Sequence, residues 1–167
     1  MKLLLIRHGK TKFNELGLIQ GQYDSKLSDE GLESTKAFTK NFNREYDYCY
    51  SSPLIRARIT AELITNNGNI TYDDRIKEAS FGVLEKTKLT KDKLMSYVSG
   101  KNIPKGAETR DDVVRRVQNF LKELKKKHKD SDTILIVTHG GVIRAIQEIY
   151  NKKSKEVKNL EIFEINI

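Results

Sequence analysis

Three short stretches hold residues able to handle a phosphate ester. The apolar run 3–6 ends in Arg7-His8-Gly9, and the apolar run 134–137 ends in Thr138-His139-Gly140-Gly141. The segment 46–50 is followed by Ser51-Ser52-Pro53 and, one turn further on, by Arg56. Two guanidinium groups suit a dianion, because each presents paired N–H donors to phosphate oxygens and stays charged at any working pH. A neutral imidazole beside an immobilised phosphoryl group can attack phosphorus and form a covalent intermediate. Departure of the alcohol then requires a proton donor. Each histidine is followed by glycine, which permits close approach of backbone to a ligand.

These residues converge only if the elements carrying them run in one direction. Residues 3–6 and 134–137 are apolar without alternation, as expected of strands covered on both faces of a parallel sheet. Further strands are expected at 46–50, 70–77 and, at an edge, 160–165. Helical patterns cover 28–44, with Ser28 as cap, and the segment after Ser52-Pro53, where the hydroxyl would cap and proline would take the first turn. The best helix begins after Thr109, with Val113, Val114, Val117, Phe120, Leu121 and Leu124 on one face. Another spans 142–150, and a short one, 91–98, interrupts a lysine-rich excursion over 83–105. Strands alternating with helices predict an α/β fold, a three-layer α/β/α sandwich with a mostly parallel central sheet, in which ligands bind beyond the carboxyl ends of the strands. Both histidines and both arginines then share one rim, where the helices starting near Pro53 and Gly140 add backbone N–H groups.

The 167 residues suit a single domain, 1–167. One cysteine, Cys49, removes any disulfide framework and fits a reducing cytoplasm. Arg7 and His8 end the first apolar run too early for a secretion signal, and no run approaches the roughly 20 residues of a membrane span. With three histidines in the chain, no metal site and no cofactor are expected. The net charge of +8 fits either a nucleic-acid footprint or an anion site in a basic surface. Oligomeric state has no signature here.

The motifs, taken in order, resemble those of the histidine phosphatase superfamily, the phosphoglycerate-mutase-like proteins. Arg7-His8-Gly9-Lys10-Thr11 resembles Arg-His-Gly-x-Thr, and Asn14, Gln20-Gly21, Asp24, Leu27-Ser28 and Gly31 are similar to the segment that follows it. Ser51-Ser52-Pro53-Leu54 with Arg56-Ala57 and Thr60-Ala61 resembles the second-arginine motif. Glu78 with Phe81-Gly82 and Glu85 resembles the proton-donor motif, Gly106-Ala107-Glu108-Thr109 resembles Gly-Gly-Glu-Ser, and Thr138-His139-Gly140-Gly141 with Arg144 is similar to the last motif. The resemblance implies a phosphohistidine intermediate. His8 is then the nucleophile, Arg7, Arg56 and His139 clamp the phosphoryl group, Asn14 and the Gly140 amide assist, Gln20 and Gly21 border the substrate, and Glu78 is the acid. To donate near neutrality, Glu78 needs burial or loss of its counter-charge. Leu84, Lys86 and Lys10 depart from residues common in the family, which bears on the identity of the substrate.

Three rivals are weaker. Cys49 and Arg56 are separated by six residues rather than the five of a cysteine-phosphatase loop, and the loop between them has no glycine. A phosphoglycerate-mutase-type transfer calls for a closing lid, and residues 86–105 offer little for one. Lys122, Lys125, Lys126, Lys127 and Lys129, with Lys152, Lys153, Lys155 and Lys158, could serve a nucleic-acid or phospho-ligand binding module. No aromatic residues interleave with them, so no specific nucleic-acid binding is expected, and without an apolar run of spanning length no membrane partner is expected. Lys86, Lys88, Lys91, Lys93, Lys101 and Lys105 surround a region that overhangs the pocket in the family, which suits a small phosphorylated substrate with a second anionic group. The expected enzyme is a metal-independent phosphomonoester hydrolase.

Overall fold

The computed structural model describes residues 1–98, 100, 102–152 and 156–167, so Lys101, Lys153 and Lys155 lie outside the described residues. The elements in order are β1 (Lys2–Arg7), α1 (Lys12–Leu16), α2 (Asp29–Lys40), β2 (Tyr48–Ser51), α3 (Ile55–Ile64), β3 (Thr71–Tyr72), α4 (Lys91–Val98), α5 (Arg110–Lys127), β4 (Thr133–Thr138), α6 (Gly140–Ile149) and β5 (Ile162–Asn166). The sheet order is β3-β2-β4-β1-β5. β1, β4, β2 and β3 run parallel, whereas β5 is antiparallel to β1 at the edge.

The unbroken apolar strands follow from burial on both faces. Leu3, Leu5, Ile134 and Ile136 pack with Val113, Val117, Phe120 and Leu124 of α5 and Val142, Ile143 and Ile146 of α6. Leu4, Ile6, Leu135 and Val137 face the other way, onto Ala57 and Ala61 of α3, with Phe38 and Phe42 packed against them. This is the expected three-layer α/β/α sandwich. α5 starts at a reciprocal cap, since Thr109 Oγ1 accepts from Asp112 N at 3.1 Å while the Asp112 carboxylate accepts from Thr109 N at 3.0 Å. Its last turn carries Lys125, Lys126 and Lys127, whose charge suits the helix C-terminus.

Several local expectations are corrected. Residues 70–77 are not one strand: only Thr71 and Tyr72 pair with β2. Asp73 then accepts from Arg75 N at 2.8 Å and starts a 3₁₀ turn, Asp74–Ile76, which buries Ile76 and directs the chain toward the rim. Ser52 does not cap α3. The helix begins at Ile55, whose N–H is taken by Asp24 Oδ1 at 2.7 Å from another loop. α2 ends at Lys40, with Asn41 Nδ2 bonding Ala37 O at 3.0 Å. α1 was not legible from apolar periodicity, for none of its five residues is buried. It rests on the Thr11–Asn14 capping box and ends at Gly17, in the left-handed region at φ 62°.

Candidate active site

The register of the parallel strands brings the histidines together. Arg7 pairs with Thr138 across β1 and β4, and His8 N then donates to Thr138 O at 3.0 Å. The next residues in each chain segment are therefore neighbours, and the His8 and His139 rings lie 5.1 Å apart between centroids, both fully buried. On the other side of β4, Ser52 N donates to Val137 O at 3.0 Å, which brings the Ser52 hydroxyl within 2.8 Å of His139 Nε2. Ser52 is a site residue that its reading as a helix cap concealed.

The tautomer of His8 is set by its neighbour. Its Nδ1 lies 2.7 Å from Gly9 O, an acceptor, so Nδ1 carries the proton and Nε2 keeps its lone pair. Gly9 is held in turn by Thr60 Oγ1 at 3.0 Å, and a Cβ there would lie 2.3 Å from Thr35 Oγ1. Burial, followed by the charge of Arg56, holds both imidazoles well below their ordinary value of 6.5. Each is thus neutral before an anion arrives.

Arg56, the second residue of α3, is buried at 1% exposure and fixed at three points. Its guanidinium donates to Gly21 O at 2.7 Å, to Tyr23 O at 3.0 Å and to His8 Nε2 at 3.3 Å. Burial lowers it to about 10, so it remains cationic at neutral pH. Arg7, at the end of β1, donates to Val157 O at 2.5 Å. Its Nε, like His139 Nδ1, is buried with no partner among the described residues. Two buried unpartnered nitrogens beside a cationic cluster are what an anion seat requires.

Glu78 lies on the segment leaving the Asp74–Ile76 turn. Its carboxylate accepts from Ala79 N at 2.9 Å and from Gly141 N at 3.2 Å, in the first turn of α6. A Cβ on Gly141 would lie 2.1 Å from Glu78 Oε1, so this glycine makes room for the carboxylate. Gly140, the first residue of α6, lies beside Arg7, whose Nε would be 3.8 Å from a Cβ there. The structure thus brings together Arg7, His8, Arg56, Glu78, His139 and Gly140.

The remaining expected residues lie on the segment after β1, which Gly21 O ties to Arg56. Asn14 Oδ1 accepts from Thr11 N at 3.1 Å in the cap of α1, and Gln20 Oε1 lies 2.8 Å from Thr11 Oγ1. Gly21, at φ 54°, supplies the carbonyl that anchors Arg56, and a Cβ on it would strike Glu85 Oε1 at 2.2 Å. Glu85 Oε1 also accepts from Gln22 N at 2.9 Å and Phe81 N at 3.1 Å, tying the two loops together. The lysines of the excursion are partly occupied: Lys88 Nζ donates to Leu16 O at 2.6 Å, and Lys93 Nζ to Lys88 O at 3.0 Å. Cys49 is buried on the opposite side of β2 from Tyr50, and burial pushes its thiol up to about 12. It is no nucleophile at working pH.

A profile of the histidine phosphatase superfamily (branch 1) matches residues 3–165. The chain belongs to that superfamily. As a histidine phosphatase it is a metal-independent phosphomonoester hydrolase. It is 33% identical over 159 residues to the metal-independent phosphoserine phosphatase of Arabidopsis thaliana, covering 87% of this chain and 66% of that protein. Phosphoserine phosphatase 1 of Hydrogenobacter thermophilus is 32% identical over 158 residues, covering 87% and 74%. Among solved structures, a phosphoserine phosphatase of Entamoeba histolytica in complex with phosphoserine superposes with a TM-score of 0.82 at 28% identity, covering 98% of this histidine phosphatase and 89% of that chain. Among the described residues, no cluster of His, Cys, Asp and Glu could hold a metal ion, and no helix is long and apolar enough to cross a membrane.

Proposed function

We propose that this single domain hydrolyses a small phosphorylated metabolite through a phosphohistidine on His8. The observation that carries the assignment is the state of His8: Nδ1 is committed to Gly9 O and Nε2 accepts from Arg56, while the His139 ring, 5.1 Å away between centroids, and the adjoining Arg7 each keep a buried nitrogen with no partner among the described residues. Arg7, Arg56, His139 and the Gly140 amide hold the phosphoryl oxygens, and Asn14, Gln20 and Gly21 shape the loop that closes the site. His8 Nε2 forms a bond to phosphorus as the ester P–O bond breaks, and Glu78 gives its proton to the departing alcohol oxygen. Water then attacks phosphorus, Glu78 takes its proton, and the P–N bond breaks to free inorganic phosphate.

The substrate's organic part has space beside Glu78. A groove of about 660 Å³ is lined by Glu78, Phe81, Tyr97, Val113, Arg144 and Glu148, among others. A small alcohol with an anionic substituent fits this mixture of aromatic walls and arginine, as phosphoserine would. A cytoplasmic setting agrees with the buried free thiol of Cys49.

The test is hydrolysis of p-nitrophenyl phosphate in excess EDTA by wild type, His8→Ala and Cys49→Ser, with a base-quenched search for phosphoenzyme. Turnover and a base-stable, acid-labile phosphoprotein are expected in wild type and Cys49→Ser and absent in His8→Ala. Undiminished turnover by His8→Ala would overturn the assignment.

A further inference from the structure

Residues outside the anion seat hold the segment that carries Glu78. Arg116, in the middle of α5, projects under this segment with its side chain 17% exposed. Its guanidinium donates to three backbone carbonyls in a row of four residues, Arg75 O at 2.6 Å, Lys77 O at 2.7 Å and Glu78 O at 3.1 Å. The same group forms a two-pronged pair with Glu108, Nε to Oε1 at 2.8 Å and a terminal nitrogen to Oε2 at 3.0 Å. Glu108 Oε2 in turn accepts from Ser80 N at 2.9 Å, on the far side of Glu78. Gln22 Nε2 bridges Glu78 O at 3.1 Å and Glu108 Oε2 at 3.3 Å. The backbone before, at and after Glu78 is therefore pinned to one ion pair, while the carboxylate is aimed at Gly141 N.

We infer that the Arg116–Glu108 pair is the positioning device for the proton donor, setting the reach of the Glu78 carboxyl toward the leaving oxygen rather than serving the fold alone. The inference rests on Glu78 as the acid. Arginine is required because only its planar fork meets a carboxylate and a row of carbonyls at once, whereas lysine offers a single compact charge. An ion pair that only stabilised the domain would, when weakened, lower turnover of every substrate alike. One that aims the acid should matter most where the leaving group needs a proton, because general-acid assistance grows with the basicity of the departing oxygen.

The experiment compares kcat/KM for p-nitrophenyl phosphate, whose phenolate departs unaided, with kcat/KM for glycerol phosphate, an alkyl ester, in R116K, E108Q and E78Q. For E78Q the alkyl-to-aryl ratio is expected to fall by about 10²-fold or more, within the range for removing a general acid. For R116K and E108Q it is expected to fall by about 10-fold. Equal losses on both substrates, or none, in R116K and E108Q while E78Q discriminates would overturn the inference and leave the acid assignment standing. No discrimination by E78Q would overturn both. Should R116K fail to fold, as judged by circular dichroism, E108Q decides alone, since it keeps side-chain shape and an acceptor for Ser80 N.

Discussion

Arg56 Nε donates to His8 Nε2 across 3.3 Å, so the proposed phosphoryl clamp and the proposed nucleophilic atom are neighbours before any ligand arrives. The other guanidinium nitrogens are fixed to Gly21 O and Tyr23 O. Arg56→Lys cannot satisfy both carbonyls and still meet a phosphate with two donors. Its kcat/KM is expected to fall by about 10²-fold, with roughly 1–3 kcal/mol of stability lost to unpaired buried carbonyls. Inorganic phosphate should raise the Tm of wild type and leave that of Arg56→Lys unchanged in a thermal shift assay. An unchanged kcat/KM would remove Arg56 from the clamp.

Gly141 has no room for a side chain, because a Cβ would lie 2.1 Å from Glu78 Oε1. Gly141→Ala is expected to displace the carboxyl and to slow alkyl phosphates by about 10-fold or more relative to p-nitrophenyl phosphate. Steady-state rates on the two substrates check this, and equal effects would separate Gly141 from proton transfer.

His8 and His139 are both held well below 6.5 by burial and by Arg56. In the unfolded chain they take up protons near that ordinary value, so below it the unfolded state binds more protons than the folded one. Stability therefore declines as pH falls through 6.5, because the folded state keeps both imidazoles uncharged. Urea unfolding at about pH 5 and about pH 7.5 measures the decline. His139→Gln is expected to lose its own share of the pH dependence, and an identical slope in the variant would contradict the buried neutral state.

Cys49 is buried and its thiol raised to about 12. Cys49→Ala is expected to keep activity within about twofold and to resist no less well to iodoacetamide than wild type at neutral pH. A loss of activity on the scale of His8→Ala would restore the thiol mechanism that the Cys49–Arg56 spacing already argued against.

Much of this protein was legible in the chain alone, for reasons local to particular residues. The unbroken apolar runs before His8 and His139 identified strands covered on both faces, because burial on two sides leaves no polar alternation. The stripe from Val113 to Leu124 identified α5 for the same kind of reason, and the identities of Arg7, His8, Arg56 and His139 set the chemistry available. Only the tertiary structure decided who meets whom. Ser52 reaches His139 rather than capping α3, Asp24 caps α3 from 31 residues away, and Arg116 pins Glu78 from 38 residues away. Helical and strand periods report which face of an element is buried. They do not report which distant donor or acceptor that face will meet, since such partners depend on strand register and on loop paths set by packing of the whole chain.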